Sequence, residues 1–472
     1  MSEKLTINVI SDIHYYDKST GTSGKAYERA LSKSQKFLAE SGVILEDCFA
    51  RLAADTQSDI ILVSGDVTSE GEKAAHHGVI NLLRKLKEAG KKVYVLTATH
   101  DYKQDCLARG YKGDDNITVP AYKREELFEL YREFGPDEAI AVHKKSMSYI
   151  VQLADDYRLF ALNDDSNLNG ASGFSDECFD WILKQAEDAR KNNQFIITMT
   201  HHPVVTPSPF YTTISEGDMM GGYKQRREQL SDAGISFIFT GHTHMQDIAS
   251  VKLDNGKTFY DITTASTIGF PGTYRKLVCD KNSNRIEVST VDFAKESTLT
   301  INGLPLYEAM ENQFFGMIRG ILDAAANDAD KFASMVGAMS IKESTGKKLG
   351  IVIKPVAKYF NNLTVGKVAA KADKKRGGNI CARMSEAEKN ERVVDFIVSL
   401  VAHLFGGDAP YTPDTPQYAA TMHVLEKIDS ILKVLHIDIG KFLKGAKNVR
   451  TLVEPLLYNN DLCDREAVID LD

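Results

Sequence analysis

Long apolar runs are missing from this chain of 472 residues, and no stretch approaches the roughly 20 residues that a membrane-spanning helix needs. No membrane association is expected. Paired cysteines are missing too: Cys48, Cys106, Cys178, Cys279, Cys381 and Cys463 are scattered, with no two at the spacing of a metal site or a disulfide framework. They read as reduced thiols at core or neutral positions. There is no signal-peptide pattern, since Met1-Ser2-Glu3-Lys4 leads straight into the short apolar stretch Leu5–Ile10 without a small-residue cleavage site. The expected compartment is the cytoplasm. A basic excess is absent as well, and a net charge of −8 gives no electrostatic footprint for a nucleic-acid backbone. Nucleic acid is not an expected partner, and no internal repeat is visible.

What is present is a globular composition, 43% hydrophobic and 26% charged, in a chain too long for one ordinary domain. Short apolar runs at Leu5–Ile10 and at residues 59–63, 93–96, 148–153, 158–162, 195–199 and 235–239 read as strands. Helical periodicity fills most of the gaps. It runs to about residue 56 in two pieces around Ser41-Gly42, with Leu45, Cys48, Phe49 and Leu52 on one face. A second helix shows Val79, Leu82, Leu83 and Leu86 and stops at Gly90, and a third starts at Ser175. The charged insertion over 102–145 carries a helix at 125–134. Alternation of this kind implies a mostly parallel sheet.

Over 247–293 the pattern changes to short alternating runs separated by turn residues, which reads as an antiparallel meander. Beyond about Ala294 the strands stop. Helical stripes follow at Met310, Phe314, Met317, Ile318 and Ile321, then at Val393, Ile397, Leu400, Val401 and Leu404 behind a capping box at Ser385 and Glu388. A last stripe holds Val424, Leu425, Ile428, Ile431, Leu432 and Leu435. The expected architecture is an α/β sandwich of mixed sheets flanked by helices over 1–295, followed by an all-α C-terminal domain over 296–472.

The chemistry sits at strand ends. Asp12 and His14, Asp66, His100 and Asp101, His201, and the pair His242 and His244 each lie just past the carboxyl end of an expected strand, where open α/β sheets place their ligands. Mixed imidazole and carboxylate ligands suit borderline metals such as Zn, Mn or Fe. One acidic residue can bridge two such ions, so that a shared hydroxide becomes a nucleophile at neutral pH. His202 reads as a pocket residue beside the ligands, and Asn163 and Asp164, just past a strand, read equally as substrate contacts and as turn residues.

The ordered set Asp12-x-His14, Gly65-Asp66, His100-Asp101, His201-x-Pro203 and Gly241-His242-x-His244 resembles the motifs of the calcineurin-like metallophosphoesterase superfamily, over roughly the first 290 residues. The resemblance implies a metallophosphoesterase-like sandwich and two divalent or trivalent metal ions, with Mn, Fe or Zn the expected elements. It implies that Asp12, His14 and His244 hold one ion, that His201 and His242 hold the other, and that Asp66 bridges them. His100 is then the imidazole that assists the leaving group, and Asp101 orients it. The family usually has Gly-Asn before the His-Asp; here Ala98 and Thr99 stand in those places, which leaves Thr99 as a shorter oxygen donor to the second ion.

The activity this implies is a metal-dependent phosphohydrolase acting on a small phosphorylated substrate through a metal-bridging hydroxide. The motifs leave monoesters and diesters equally open. Two other readings share the fold: a nuclease, which the acidic balance disfavours, and a metal-binding scaffold, for which only Thr99 speaks.

Overall fold

A computed structural model describes residues 4–165, 171–213, 215–337, 343–434, 448–458 and 462–471. In chain order its strands are β1 (Leu5–Ile10), β2 (Ile60–Ser64), β3 (Lys92–Leu96), β4 (Leu107–Lys112), β5 (Asp115–Pro120), β6 (Ala139–His143), β7 (Ser148–Ala154), β8 (Tyr157–Ala161) and β9 (Phe195–Met199). They continue as β10 (Phe237–Thr240), β11 (Asp247–Lys252), β12 (Thr258–Thr263), β13 (Tyr274–Asp280), β14 (Arg285–Val291), β15 (Thr300–Ile301), β16 (Leu304–Pro305) and β17 (Glu466–Asp470).

Two sheets form the sandwich. One has the order β17-β14-β13-β1-β2-β3, and the other β11-β12-β10-β9-β8-β7-β6. The strands that carry the motifs run parallel: β1 with β2, β2 with β3, and β9 with β10. Alternate side chains face the other sheet, as the two-residue strand period requires. Ile7, Val9, Ile60, Leu62, Tyr94 and Leu96 of the first sheet share one buried cluster with Leu159, Ile197, Phe237, Phe239 and Ile262 of the second. Outside, the helix Ser41–Ala54 buries Ile44, Leu45, Cys48, Phe49 and Leu52. Helix Asp176–Lys191 is capped by Ser175, whose hydroxyl accepts from the Cys178 N–H at 3.2 Å.

The structure departs from the sequence reading in several places. The expected antiparallel meander is split: β11 and β12 form a hairpin on the edge of the second sheet, with β12 also parallel to β10, whereas β13 and β14 belong to the first sheet. Residues 264–273 therefore cross from one sheet to the other. Residues 32–40, expected to be largely helical, run without an α-helix between Lys25–Leu31 and Ser41–Ala54. The charged insertion holds the hairpin β4–β5, and its helix is Arg124–Leu130. The capping box at Ser385 and Glu388 starts only the short helix Glu386–Asn390, because the chain then extends through Arg392, which pairs with Thr364 before Val393–Gly406 begins.

The chain forms two compact units, one of Met1–Pro207, Asp218–Glu311 and Leu462–Asp472, the other of Ser208–Gly217 and Asn312–Asp461. The second unit is helical, with Glu343–Phe360, Val365–Arg376, Val393–Gly406 and Pro416–Val434 among its helices and a core that includes Val365, Val368, Ala369, Phe396 and Ala420. Leu435 of the last expected stripe, and His436, lie outside the described residues. Among the described residues no helix is long and apolar enough to cross a membrane.

The sequence division at residue 295 places the chain's last residues with the helices, but Glu466–Asp470 pairs with β14 as the outermost strand of the first sheet. Five residues with one fully buried apolar side chain, Ile469, are too short a pattern to separate from a helical region by periodicity. Arg275 fastens this return. Its guanidinium, fully buried, donates to the backbone carbonyls of Asp247, Thr263 and Asp464 and to the Thr290 hydroxyl. Replacing it removes the guanidinium donor from all three carbonyls at once. Arg275→Met is expected to lower the stability of the first unit by about 3–5 kcal/mol, read from its urea unfolding transition.

Candidate metal centre

The carboxyl ends of β1, β2 and β3 in one sheet and of β9 and β10 in the other open onto the same place. Asp12 and His14 follow β1, Asp66 follows β2, Thr99 to Asp101 follow β3, His201 follows β9, and His242 and His244 follow β10. Five of these residues have positive φ without being glycine: Asp12 at 50°, His14 at 43°, Asp66 at 50°, His242 at 65° and His244 at 58°. Side chains resist that region, so the neighbouring backbone must impose it. It does so through short cross-links: Asp12 N donates to Gly65 O at 3.2 Å, His14 N to Asp66 O at 2.9 Å, and Gly241 N to His201 O at 3.0 Å. Two glycines are sterically required. A Cβ at Gly65 would stand 2.3 Å from His201 Nδ1, and one at Gly241 would stand 1.9 Å from Ser11 Oγ.

Two sets of potential ligand atoms result, Asp12 with His14 and His244, and Asp66 with His201 and His242. In the first, His14 Nε2 and His244 Nε2 are 3.1 Å apart, and Asp12 Oδ1 lies 3.2 Å from His244 Nε2 and 3.5 Å from His14 Nε2. The other oxygen of Asp12 is engaged, accepting from the Ser11 hydroxyl at 2.7 Å and the His242 N–H at 3.0 Å. In the second set, His201 Nε2 lies 3.2 Å from Asp66 Oδ2, and the same oxygen is 3.8 Å from His14 Nε2. Asp66 thus faces both sets.

These residues fit metal ions by a structural test. Asp12 Oδ1 and His201 Nε2 are buried and have no hydrogen-bond partner among the described residues. Buried polar atoms are almost always satisfied, so two orphans converging among imidazoles call for something that is not a protein group. The outer nitrogens are held: His201 Nδ1 by Ser64 O at 2.9 Å, His14 Nδ1 near Thr68 O at 3.3 Å, and His244 Nδ1 by the Gln35 side chain at 2.9 Å. His242 Nε2 has the Asp218 carboxylate at 3.6 Å. Outer contacts of this kind fix which nitrogen is left for a metal.

The electrostatics favour cations. Burial pushes the Asp12 and Asp66 carboxyls up, but the surrounding imidazoles outweigh it and hold both well below the usual carboxylate range. Burial likewise works against a charged His201, yet the Asp66 carboxylate beside it outweighs that and raises the imidazole to about 10. His100 goes the other way, lowered to about 4 by burial and by the Lys36 ammonium.

His100 is tied by its backbone N–H to Asp66 Oδ1 at 3.0 Å and by Nδ1 to Ser69 O at 2.7 Å, with its ring edge-on to His14 at 4.9 Å. The orienting partner expected for it was Asp101. In the structure that carboxylate is fully buried and turned to the other side, accepting from the N–H groups of Val67, Thr68 and Ala98 and from the Thr68 hydroxyl. Asp101 therefore holds the loop after β2, and the Ser69 carbonyl is what faces the His100 ring. Thr99 is exposed, with Oγ1 3.5 Å from Asp66 Oδ1.

Several residues here have roles that the sequence does not indicate. Asp164 accepts from the backbone of His201 and His202 and from His202 Nδ1 at 2.9 Å, so it clamps the loop after β9. Its place past β8 was visible, but turn chemistry explained it equally well. Gln35 and Lys36 come from the segment expected to be helical, with Lys36 Nζ 3.3 Å from His14 Nδ1, and Asp218 comes from the long connection after β9. No motif or period marks these three.

Comparison with known proteins adds the following. Residues 5–246, just over half of the chain, match the family described as calcineurin-like phosphoesterase. No curated protein matches the sequence. Among solved structures, a dimetal phosphatase from Danio rerio is similar at 13% identity and a TM-score of 0.41, over 61% of this chain and 95% of that one. The NAD nucleotidase of Haemophilus influenzae is similar at 11% identity and a TM-score of 0.32, over 77% and 62%. The phosphopantetheinyl hydrolase of Mycobacterium tuberculosis is similar at 14% identity and a TM-score of 0.28, over 56% and 91%. Likeness at that level carries no argument about substrate. The family match spans every motif from Asp12 to His244, and this chain belongs to the calcineurin-like phosphoesterase family.

Proposed function

We propose that this chain is a dinuclear metal-dependent phosphoester hydrolase. Asp12, His14 and His244 would hold one ion, His201 and His242 the other, and Asp66 both. The observation that carries this is the position of Asp66, whose Oδ2 lies 3.2 Å from His201 Nε2 and 3.8 Å from His14 Nε2. Two ions at such a site neutralise phosphoryl oxygens and lower the pKa of water. The donor set suits Mn, Fe or Zn. A small phosphorylated substrate is the proposed partner, and the cytoplasm the proposed compartment, supported by six cysteines that form no disulfide.

His100 is the proposed proton-transfer group. With its Nδ1–H given to Ser69 O, Nε2 is the nitrogen left to exchange a proton with the leaving group. Its lowered pKa keeps it neutral around pH 7, and an arriving phosphate oxyanion favours its protonation. Asp101 acts on it only through the loop it holds.

The direct test is metal analysis of the purified chain together with turnover of a chromogenic phosphomonoester and its diester counterpart. Two ions per chain and hydrolysis of either ester are expected; two ions with neither hydrolysed would leave a metal-binding scaffold. His100→Ala should retain both ions and lose about 10²–10⁴-fold in kcat. Thr99→Asn, which restores the family's longer amide arm, should tighten the weaker of the two binding events in a metal titration. Unchanged affinity in that variant would remove Thr99 from the ligand position.

A further inference from the structure

We propose that Gln35 is the positioning residue of the first ligand set, fixing the tautomer of His244 so that its Nε2 is free to bind an ion. The inference rests on the reading of Asp12, His14 and His244 as ligands.

Gln35 reaches the site because residues 32–40 do not continue the helix before them. The segment is pinned by the Phe37 N–H, which donates to Ile268 O at 2.9 Å. Gly269 eases the approach, since a Cβ there would stand 3.2 Å from the Gln35 backbone carbonyl oxygen, tighter than ordinary contact. Consecutive side chains then address the two imidazoles of one set: Gln35 meets His244 Nδ1 at 2.9 Å and Lys36 meets His14 Nδ1 at 3.3 Å.

The hydrogen bonding at Gln35 decides what its amide does. The atom placed 2.9 Å from His244 Nδ1 is the amide nitrogen, while the amide oxygen is buried with no partner among the described residues. In that orientation the amide N–H donates to Nδ1, and the imidazole must carry its proton on Nε2. That proton is given to His14 Nε2, 3.1 Å away, beside Asp12 Oδ1 at 3.2 Å, so the nitrogen that an ion needs is occupied. Amide oxygen and nitrogen are nearly isosteric, and their assignment follows from the network around them. Turning the amide by half a revolution frees that nitrogen. The oxygen then accepts Nδ1–H at the same distance, and the Nε2 lone pair points to where Asp12 Oδ1 and His14 Nε2 converge.

His244 differs in this from two other imidazoles of the centre. The outer nitrogens of His201 and His14 meet backbone carbonyls, of Ser64 at the end of β2 and of Thr68 in the loop after it, with Lys36 Nζ also near the latter nitrogen. The outer nitrogen of His244 depends on one side chain from a distant loop.

The test uses the full chain stripped of metal and titrated calorimetrically with Mn²⁺, comparing wild type with Gln35→Met and Gln35→Glu. Methionine keeps the length and removes the acceptor; glutamate keeps an acceptor and strengthens it. One of the two binding events should weaken by about 10–100-fold in Gln35→Met, with the other within about twofold, and Gln35→Glu should bind at least as tightly as wild type. A role limited to packing the loop would lower the melting temperature of the metal-free chain and would not be rescued by glutamate alone. Two unchanged events in Gln35→Met overturn the proposal and leave the dinuclear reading standing. If Gln35→Met does not fold, a folded Gln35→Glu that binds more weakly than wild type overturns it. A wild-type chain that takes up no Mn²⁺ defeats both together.

Discussion

A carboxylate taken out of water has to be compensated, and Asp66 is met from two sides. Held well below the usual carboxylate range and nearly inaccessible, it has the His201 imidazole, raised to about 10, on one flank and His14, whose pKa burial and Lys36 push down, on the other. Neither imidazole lies near it in sequence. They arrive from different sheets, so Asp66 keeps both contacts only if the carboxyl ends of both sheets come to one point. The sandwich is the scaffold for that convergence, and the buried cluster between the sheets keeps it rigid.

The convergence has a local cost that the fold absorbs in the loops. Left-handed backbone at Asp12, His14, Asp66, His242 and His244 is a strained choice for residues with side chains, of order 1–3 kcal/mol each. Extended backbone would send these side chains past the site. The turns are enforced by hydrogen bonds between loops, as where the Asp12 and His14 amides donate to Gly65 and Asp66. Asp101 does the same from the third loop, taking three backbone amides into one buried carboxylate. Loops that are mutually bonded in this way move as a unit, which a site needing sub-ångström placement requires.

The part of this arrangement that was legible in the sequence follows from which signals are local. Strands β1, β2, β3, β9 and β10 are apolar runs bounded by motif residues, and strand end plus Asp or His is a local pattern. The same holds for helix faces such as Leu45 to Leu52 and for the cap at Ser175. Pairing between distant segments is not local. Nothing in the short run at Glu466–Asp470 announces that it returns to β14, and nothing in 264–273 distinguishes a turn within one sheet from a crossing between two. Residues 32–40 lie between two genuine helices, so nothing local marks the break, and Gln35 and Lys36 are there.

The residues hidden from sequence share a physical character. Asp12, Asp66 and the four imidazoles are recognisable because their chemistry fixes both type and spacing. Their supports need only an acceptor or a donor at one point, and any element can bring it: a carbonyl of Ser64, an amide of Gln35, a carboxylate of Asp164 or Asp218. Support of this kind tunes how strongly each imidazole donates, because a carboxylate pulls more on a ring N–H than an amide or a carbonyl does. The set that includes His242, where Thr99 replaces the family's longer amide, is also the one with a carboxylate, Asp218, near the outer nitrogen of an imidazole. On the proposed ligand assignment the Asp218 carboxylate and the Thr99 hydroxyl bear on the same ion, so the departure at one position is read only together with a residue far from the motif.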